Sequence, residues 1–317
     1  MPRSVTPTPQ TQAARFPGSW ADRLCRGGTR AAALAVLGLA VVIAWQLIVN
    51  SRLSRHQFGV GFFLGTTWDP VAGEFGALPF LFGTLVTSAV ALLLAVPLGL
   101  GTAIWLVELA PRTLAAWLAF LIELLAAIPS VIYGLIGVFV VVPWMRTVVE
   151  PALSAWFGWL PLFQGAPYGV GLLTAGMILA VMVVPFITSV SREVLLTVPR
   201  MQREGALALG ATRWETLWLA VLPYAGSGIA ASILLALARA LGETMAVTMV
   251  IGNRPQITAS LLEPGYTLSA VLANEFTEAT GDLYLHSLIA IGLVLFGITI
   301  LVNGLARLML YKMGHSR

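Results

Sequence analysis

Three charged side chains lie deep inside long apolar runs of this chain: Glu123, Arg239 and Glu243. An ionised group at the centre of a bilayer costs roughly 2.5–3.5 kcal/mol on insertion scales, so such residues usually face a cavity or a partner and mark a path. Counted from Tyr224, Arg239 lies about 23 Å along a helix, past the middle of a ~30 Å hydrocarbon core. Glu243 follows at i+4, on the same helical face and within pairing reach. Two chemistries fit this pair. One is an ion pair that bridges helices. The other is an anion site, in which the arginine fork donates to a phosphate-like oxyanion and Glu243 offsets its charge when the site is empty. Glu123 sits about 15 Å into its own run and is expected to pair with a partner helix or to be held neutral by burial. Pro129 and Ser130 just beyond it would make a hinge. For Glu123 and Ser130 a structural role is the first reading and a place on the path the second.

A further candidate is the polar stretch between residues 191 and 223. Pro199 suits a helix start, Gly210 suits a helix stop, and Thr212 with Glu215 forms a capping box that opens a second helix. Glu204, Gly205 and Ala206 fall on the first of these helices. By its local physics the stretch is a helix, a glycine turn and a helix on a membrane face.

These residues need a membrane-spanning frame to position them. Of 317 residues, 58% are hydrophobic and 10% charged, against about 25% charged in soluble domains; the mean hydropathy is +0.89. This excludes a water-soluble fold. Lys312, the one lysine, is followed by Met313, so no Walker A lysine exists and no nucleotide site is expected in this chain. Cys25, the single cysteine, permits no internal disulfide, and with three scattered histidines (His56, His286 and His315) no metal site is expected. The pI of about 9.6 is read as a mark of cytoplasmic loops, not of nucleic acid.

The expected architecture is all-α and polytopic, with six spans: Ala31–Val49, Phe80–Val107, Thr113–Val142, Val170–Val190, Tyr224–Ile251 and Tyr284–Leu308. Each is about the length needed to cross the hydrocarbon. Residues 1–29 read as a disordered cytoplasmic tail and 30–317 as the transmembrane domain, with a cytoplasmic loop at about 191–223. The first span reads as a retained anchor, being too long for a signal peptide. The Pro- and Trp-bearing stretch 143–169 reads as an interfacial loop. Ala91, Ala95, Gly99 and Ala103 form a small-residue stripe for helix packing. Pro97, Pro129 and Pro185 are expected to kink or loosen their helices. No internal repeat is evident, which disfavours a secondary transporter built on inverted halves. No Asp-rich or clustered acid motif supports an intramembrane enzyme.

The spacing Glu204-Gly205-Ala206, Gly210, Leu222-Pro223 resembles the EAA motif of importer-type ABC permeases; Gly205 stands where that motif has alanine, and Ala220 where it has isoleucine. The runs from Gly73 to Pro79, Gly83 to Ser88, Glu123 to Gly134 and Arg239 to Val247 resemble the phosphate-permease family of ABC importers, from about residue 57 to the C-terminus. The resemblance implies a type I importer permease fold, with phosphate as cargo. It implies a second homologous permease subunit, two ATP-binding subunits that carry ATP and Mg, and an extracytoplasmic phosphate-binding protein. It further implies docking of the ATPase at Glu204, Gly205, Ala206 and Gly210, and phosphate passage at Arg239 and Glu243. A sister oxyanion importer, for sulfate or molybdate, shares this logic; an ion-coupled anion transporter would not need the 199–223 element.

Thirteen of the 18 basic residues fall in the tail, the 108–112 turn, the 191–223 loop and the C-terminus, four fall in the other three loops, and the last is Arg239. The positive-inside rule then places both termini in the cytoplasm of a bacterial cell, with the chain in its inner membrane. A reporter active only in the cytoplasm is expected to work when fused after Arg213 and to be silent when fused within 255–280. The opposite pattern would invert the orientation.

Overall fold

The computed structural model describes residues 20–315. The chain divides into two units, at Gln46 and Leu47. Helix α1 (Trp20–Asn50) begins well before Ala31, so residues 20–29 are helical where a tail was expected; residues 1–19 of that tail lie outside the described residues. Arginine and leucine are good helix formers, and long arginine side chains can carry a helix through the headgroup layer. Leu34, Val41 and Trp45 on α1 are exposed, as a span covered by lipid requires.

The second unit carries two short helices, α2 (Arg52–Phe58) and α3 (Gly61–Leu64), and a hairpin of β1 (Trp68–Asp69) and β2 (Glu74–Phe75). The hairpin turn is held by Asp69 Oδ1, which accepts from the N–H groups of Val71 and Ala72 at 2.8 and 3.1 Å. Then follow α4 (Leu78–Leu109), α5 (Arg112–Ala126), α6 (Ser130–Phe157), α7 (Leu172–Leu196), α8 (Arg200–Ala208) and α9 (Arg213–Leu241). The chain ends with α10 (Met245–Val250), α11 (Leu268–Glu275) and α12 (Asp282–His315). Among the described residues, six helices are long and apolar enough to cross a membrane: α1, α4, α6, α7, α9 and α12.

Two spans differ from the expectation. The third apolar helix runs from Ser130 to Phe157, through the stretch read as an interfacial loop. Pro143 and Pro151 do not end it, because widened turns at Gly137–Val141 and Met145–Val149 absorb the missing donors. Residues 113–126, assigned to that same span, belong to the separate helix α5. The fifth span starts at Arg213, so the second helix of the polar loop runs straight into it, and it stops at Leu241 instead of Ile251.

The central core is α4 against α7, joined by α6, α9 and α10. Ala91, Ala95, Gly99 and Ala103 are all buried, so the small-residue stripe is a packing face. A Cβ on Gly99 would lie 2.9 Å from Ile187 Cβ and 3.2 Å from the Val184 carbonyl. At this contact Thr188 Oγ1 donates to the Gly99 carbonyl at 3.1 Å. Pro97 and Pro185 stay inside their helices. A second core holds the hairpin: Trp68 packs edge-on against Phe75 and Phe80 at 4.9 and 4.8 Å, and its indole donates to Glu275 Oε2 at 2.8 Å. Tyr266 lies in this core, and burial pushes its hydroxyl well above the usual phenol range. A third core joins the ends of α4 and α7 to the start of α9.

The close approach predicts a position-specific cost. Gly99→Leu is expected to destabilise the detergent-solubilised protein by several °C in thermal melting, because overpacking costs about 1–3 kcal/mol. Gly101→Ala, which meets no atom within 4 Å and has a helical backbone, is expected to bring no such loss and, if anything, a slight gain in melting temperature.

Candidate functional site

Two helices are broken just before segments that enter the central core. The first break separates α5 from α6 at residues 127–129, where Pro129 takes an extended conformation (φ −58, ψ 139). Tyr133 bridges it, its hydroxyl donating to the Leu125 carbonyl at 2.7 Å. The second separates α9 from α10 at residues 242–244. There Glu243 Oε1 accepts the Ala246 N–H at 3.3 Å, and Ser269 Oγ donates to the Glu243 carbonyl at 2.7 Å. Backbone groups freed in an apolar interior are costly unless repaired in this way. The halves after the breaks pack side by side: a Cβ on Gly134 of α6 would lie 2.6 Å from Met249 Sδ and 3.2 Å from Ala246 Cα of α10.

Arg239 lies one turn before the second break. It is exposed, acts electrostatically on Tyr133, and makes no hydrogen bond or ion pair among the described residues. The expected Arg239–Glu243 pair is therefore not formed. The i+4 relation holds only within a continuous helix. Here α9 stops at Leu241, and the Glu243 carboxylate turns to the start of α10. Glu123 is on α5, one turn before the first break. It is exposed, not buried as one expectation required, and it makes no side-chain bond among the described residues. Ser130 is the half-buried first residue of α6. The packing brings the two broken segments together without direct side-chain contact among these four residues.

The polar loop matches its expected geometry. Helix α8 is followed by Gly210 at φ +89, a conformation that favours glycine. The capping box is complete: Thr212 Oγ1 accepts from Glu215 N at 3.2 Å, and Glu215 Oε2 accepts from Thr212 N at 2.8 Å. Glu204 and Gly205 are exposed, Ala206 is half-buried, and Gly205, Ala206 and Gly210 line an open groove with Met201 and Leu209.

Two features escaped the sequence reading. Arg203 on α8 ion-pairs with Glu108 at the end of α4 at 2.9 Å, and donates to the Val198 and Leu195 carbonyls at 2.7 and 2.9 Å. The only signal was that the 108–112 turn, which holds Glu108, and the 191–223 loop, which holds Arg203, were read on the same face of the membrane. Glu150, in the stretch read as an interfacial loop, is fully buried in α6, where Oε2 accepts the Gly169 N–H at 2.9 Å.

A family model described as the binding-protein-dependent transport system inner membrane component matches residues 95–314. The chain belongs to this family. Within it, the chain is 50% identical over 295 residues to a phosphate transport system permease protein PstC of Mesorhizobium japonicum, covering 92% of this chain and 90% of that one. It is 45% identical over 306 residues to the Haemophilus influenzae PstC, covering 95% and 97%. It is 36% identical over 281 residues to a probable PstC of Methanocaldococcus jannaschii, covering 87% and 89%. The fold is shared with the crystal structure of a bacterial alginate ABC transporter (TM-score 0.58, 17% identity, 92% of this chain and 96% of that one). It is shared too with the inward-facing MetNI methionine ABC transporter (TM-score 0.56, 16% identity, 78% and 99%). The all-α, six-span importer-permease fold is thus the one expected from the sequence.

The family's polar loop separates two glycine roles. Gly205→Ala is expected to keep assembly and stabilise α8 by about 0.5–1 kcal/mol, since it meets no atom within 4 Å and has a helical backbone. Gly210→Pro is expected to insert in the membrane yet fail to co-purify with an ATPase, because proline cannot adopt φ +89. Normal assembly of Gly210→Pro would remove the turn from the coupling role.

Proposed function

We propose that this chain is the membrane-spanning permease subunit of an ATP-driven importer of inorganic phosphate, working by alternating access. The observation that carries the reading is Arg239, an exposed guanidinium with no ion pair among the described residues, one turn before a helix break whose following segment packs on that of a second break. The phosphate permeases named above supply the cargo. An arginine fork is suited to an oxyanion, and a single cation tempered by a nearby acid holds it weakly enough for release. In this reading Glu243 supplies that tempering without a direct pair. Glu123 and Ser130 flank the other break and stand as secondary path residues.

The partners are a second homologous permease, two ATP-binding subunits and an extracytoplasmic phosphate-binding protein. ATP and Mg belong to the ATP-binding subunits, and this chain performs no hydrolysis. The groove beside Gly205, Ala206 and Gly210, with the exposed Glu204, receives the ATPase. Movement of α8 then reaches the membrane through Arg203, which grips α4 at Glu108 and the end of α7 at two carbonyls. Both termini lie in the cytoplasm of a bacterial cell whose inner membrane holds the chain.

The test is uptake of phosphate into vesicles holding the assembled complex. Arg239→Gln is expected to abolish uptake with normal amounts of inserted, assembled protein, because the side chain is exposed and supports no partner. Arg239→Lys keeps charge without the planar fork, so partial uptake is expected. Glu243→Gln should slow release more than binding. Wild-type uptake by the Arg239→Gln, Glu243→Gln double variant would overturn the anion-path reading.

A further inference from the structure

A cavity of ≈ 530 Å³ opens at the Arg-rich end of the bundle, between the α4–α5 turn and the start of α8. Four arginines from three segments line it: Arg112 of α5, Arg192 of α7, and Arg200 and Arg203 of α8, with Glu108 as the one acid. Two of the four are neutralised, Arg203 by Glu108 and Arg192 by its neighbour Glu193. Arg112 and Arg200 are exposed and make no hydrogen bond or ion pair among the described residues.

Their placement compounds the charge. Each is the first residue of its helix, α5 and α8, behind a proline (Pro111 and Pro199) that offers no capping side chain. Neither helix has an acid in its first turn. The start of a helix already carries partial positive charge, so a cation there is unfavourable. Two such ends, each bearing an arginine, converge on one cavity with a net excess of positive charge. A dianionic or monoanionic oxyanion seated between them would relieve both repulsions, and arginine offers the fork that fits it. The remaining wall is apolar, formed by Leu106, Val107 and Leu196.

We propose that this cavity binds a phosphate group, held between Arg112 and Arg200, as a site separate from the Arg239 path. Two sources share that chemistry. A phospholipid headgroup would place its acyl chains on the apolar wall; free inorganic phosphate would arrive from the aqueous side. With the termini cytoplasmic, the site faces the compartment that receives the cargo. The inference does not depend on the transport reading, since arginine, helix ends and cavity are the same for either source.

Site-resolved modification tests it. The assembled complex is placed in nanodiscs and treated with phenylglyoxal, and the labelling rate of each arginine is read by peptide mass spectrometry. Three conditions are compared at equal ionic strength: phosphatidylcholine with chloride, phosphatidylcholine with millimolar inorganic phosphate, and phosphatidylglycerol with chloride. Labelling of Arg112 and Arg200 is expected to slow by roughly fivefold or more in one of the last two, as occupancy dictates, while the exposed Arg213 outside the cavity is unchanged. Protection by phosphatidylglycerol alone identifies a headgroup; protection by phosphate alone identifies the free ion. Arg112→Gln, which breaks no contact, is expected to remove the protection of Arg200. Equal rates at Arg112 and Arg200 in all three conditions would overturn the site. So would undiminished protection of Arg200 in the Arg112→Gln variant. Because the readout is local to these arginines, a failed Arg239 path leaves it unaffected.

Discussion

At Gly99 the α4 backbone reaches the Ile187 side chain and the Val184 carbonyl of α7, and a side chain on α4 would force the helices apart. Lipid tails are as apolar as leucine, so spans do not associate by the hydrophobic effect; close van der Waals contact and interhelical hydrogen bonds hold them. The α4–α7 seam supplies both, in the buried Ala91, Ala95, Gly99 and Ala103 and in the Thr188 bond to Gly99. Helices α5 and α6 then follow α7: Ala115 shares a cavity with Leu196 at one end, and Gly137 meets Ile178 towards the other. Helix α9 is tied to the same support by the buried Ser191–Ser232 hydrogen bond at 2.9 Å.

Against that rigid pair the chain can tolerate two broken helices. A break inside a membrane leaves donors and acceptors that water cannot reach, and each must find a protein partner. The Tyr133 hydroxyl, the Glu243 carboxylate and the Ser269 hydroxyl meet that need. The repair has an electrostatic consequence. Because Glu243 is engaged by the α10 backbone, Arg239 keeps its charge without a paired acid. A broken helix also concentrates backbone change in a few residues, which is where a hinge belongs.

The Arg-rich end shows how a surface element is fastened to the spans. Helix α8 has a largely exposed surface with little buried apolar area, so packing alone would hold it weakly. Arg203 compensates with one ion pair and two carbonyl contacts. Partly shielded and anchored at several points, this interaction differs from the isolated surface ion pairs that contribute little.

Features that depend on neighbours in sequence were legible in advance. Six spans follow from runs of about 20 apolar residues, because a bilayer imposes that length. The Gly210 turn and the Thr212–Glu215 capping box followed from adjacent residues, since their bonds close within four positions. Prolines could not be read the same way. Pro129 ends a helix, whereas Pro97, Pro143 and Pro185 stay within theirs. A proline removes one donor in every case, and only the surroundings decide whether the helix breaks or a widened turn absorbs the loss. The end of α9 at Leu241 was hidden for the same reason, and with it the separation of Glu243 from Arg239. Burial of Glu150 and the Arg203–Glu108 pair, 95 residues apart, join segments that meet only after folding. Apolar length and turn chemistry are properties of the local chain; where a helix breaks and which charge stays unpaired depend on what packs beside it.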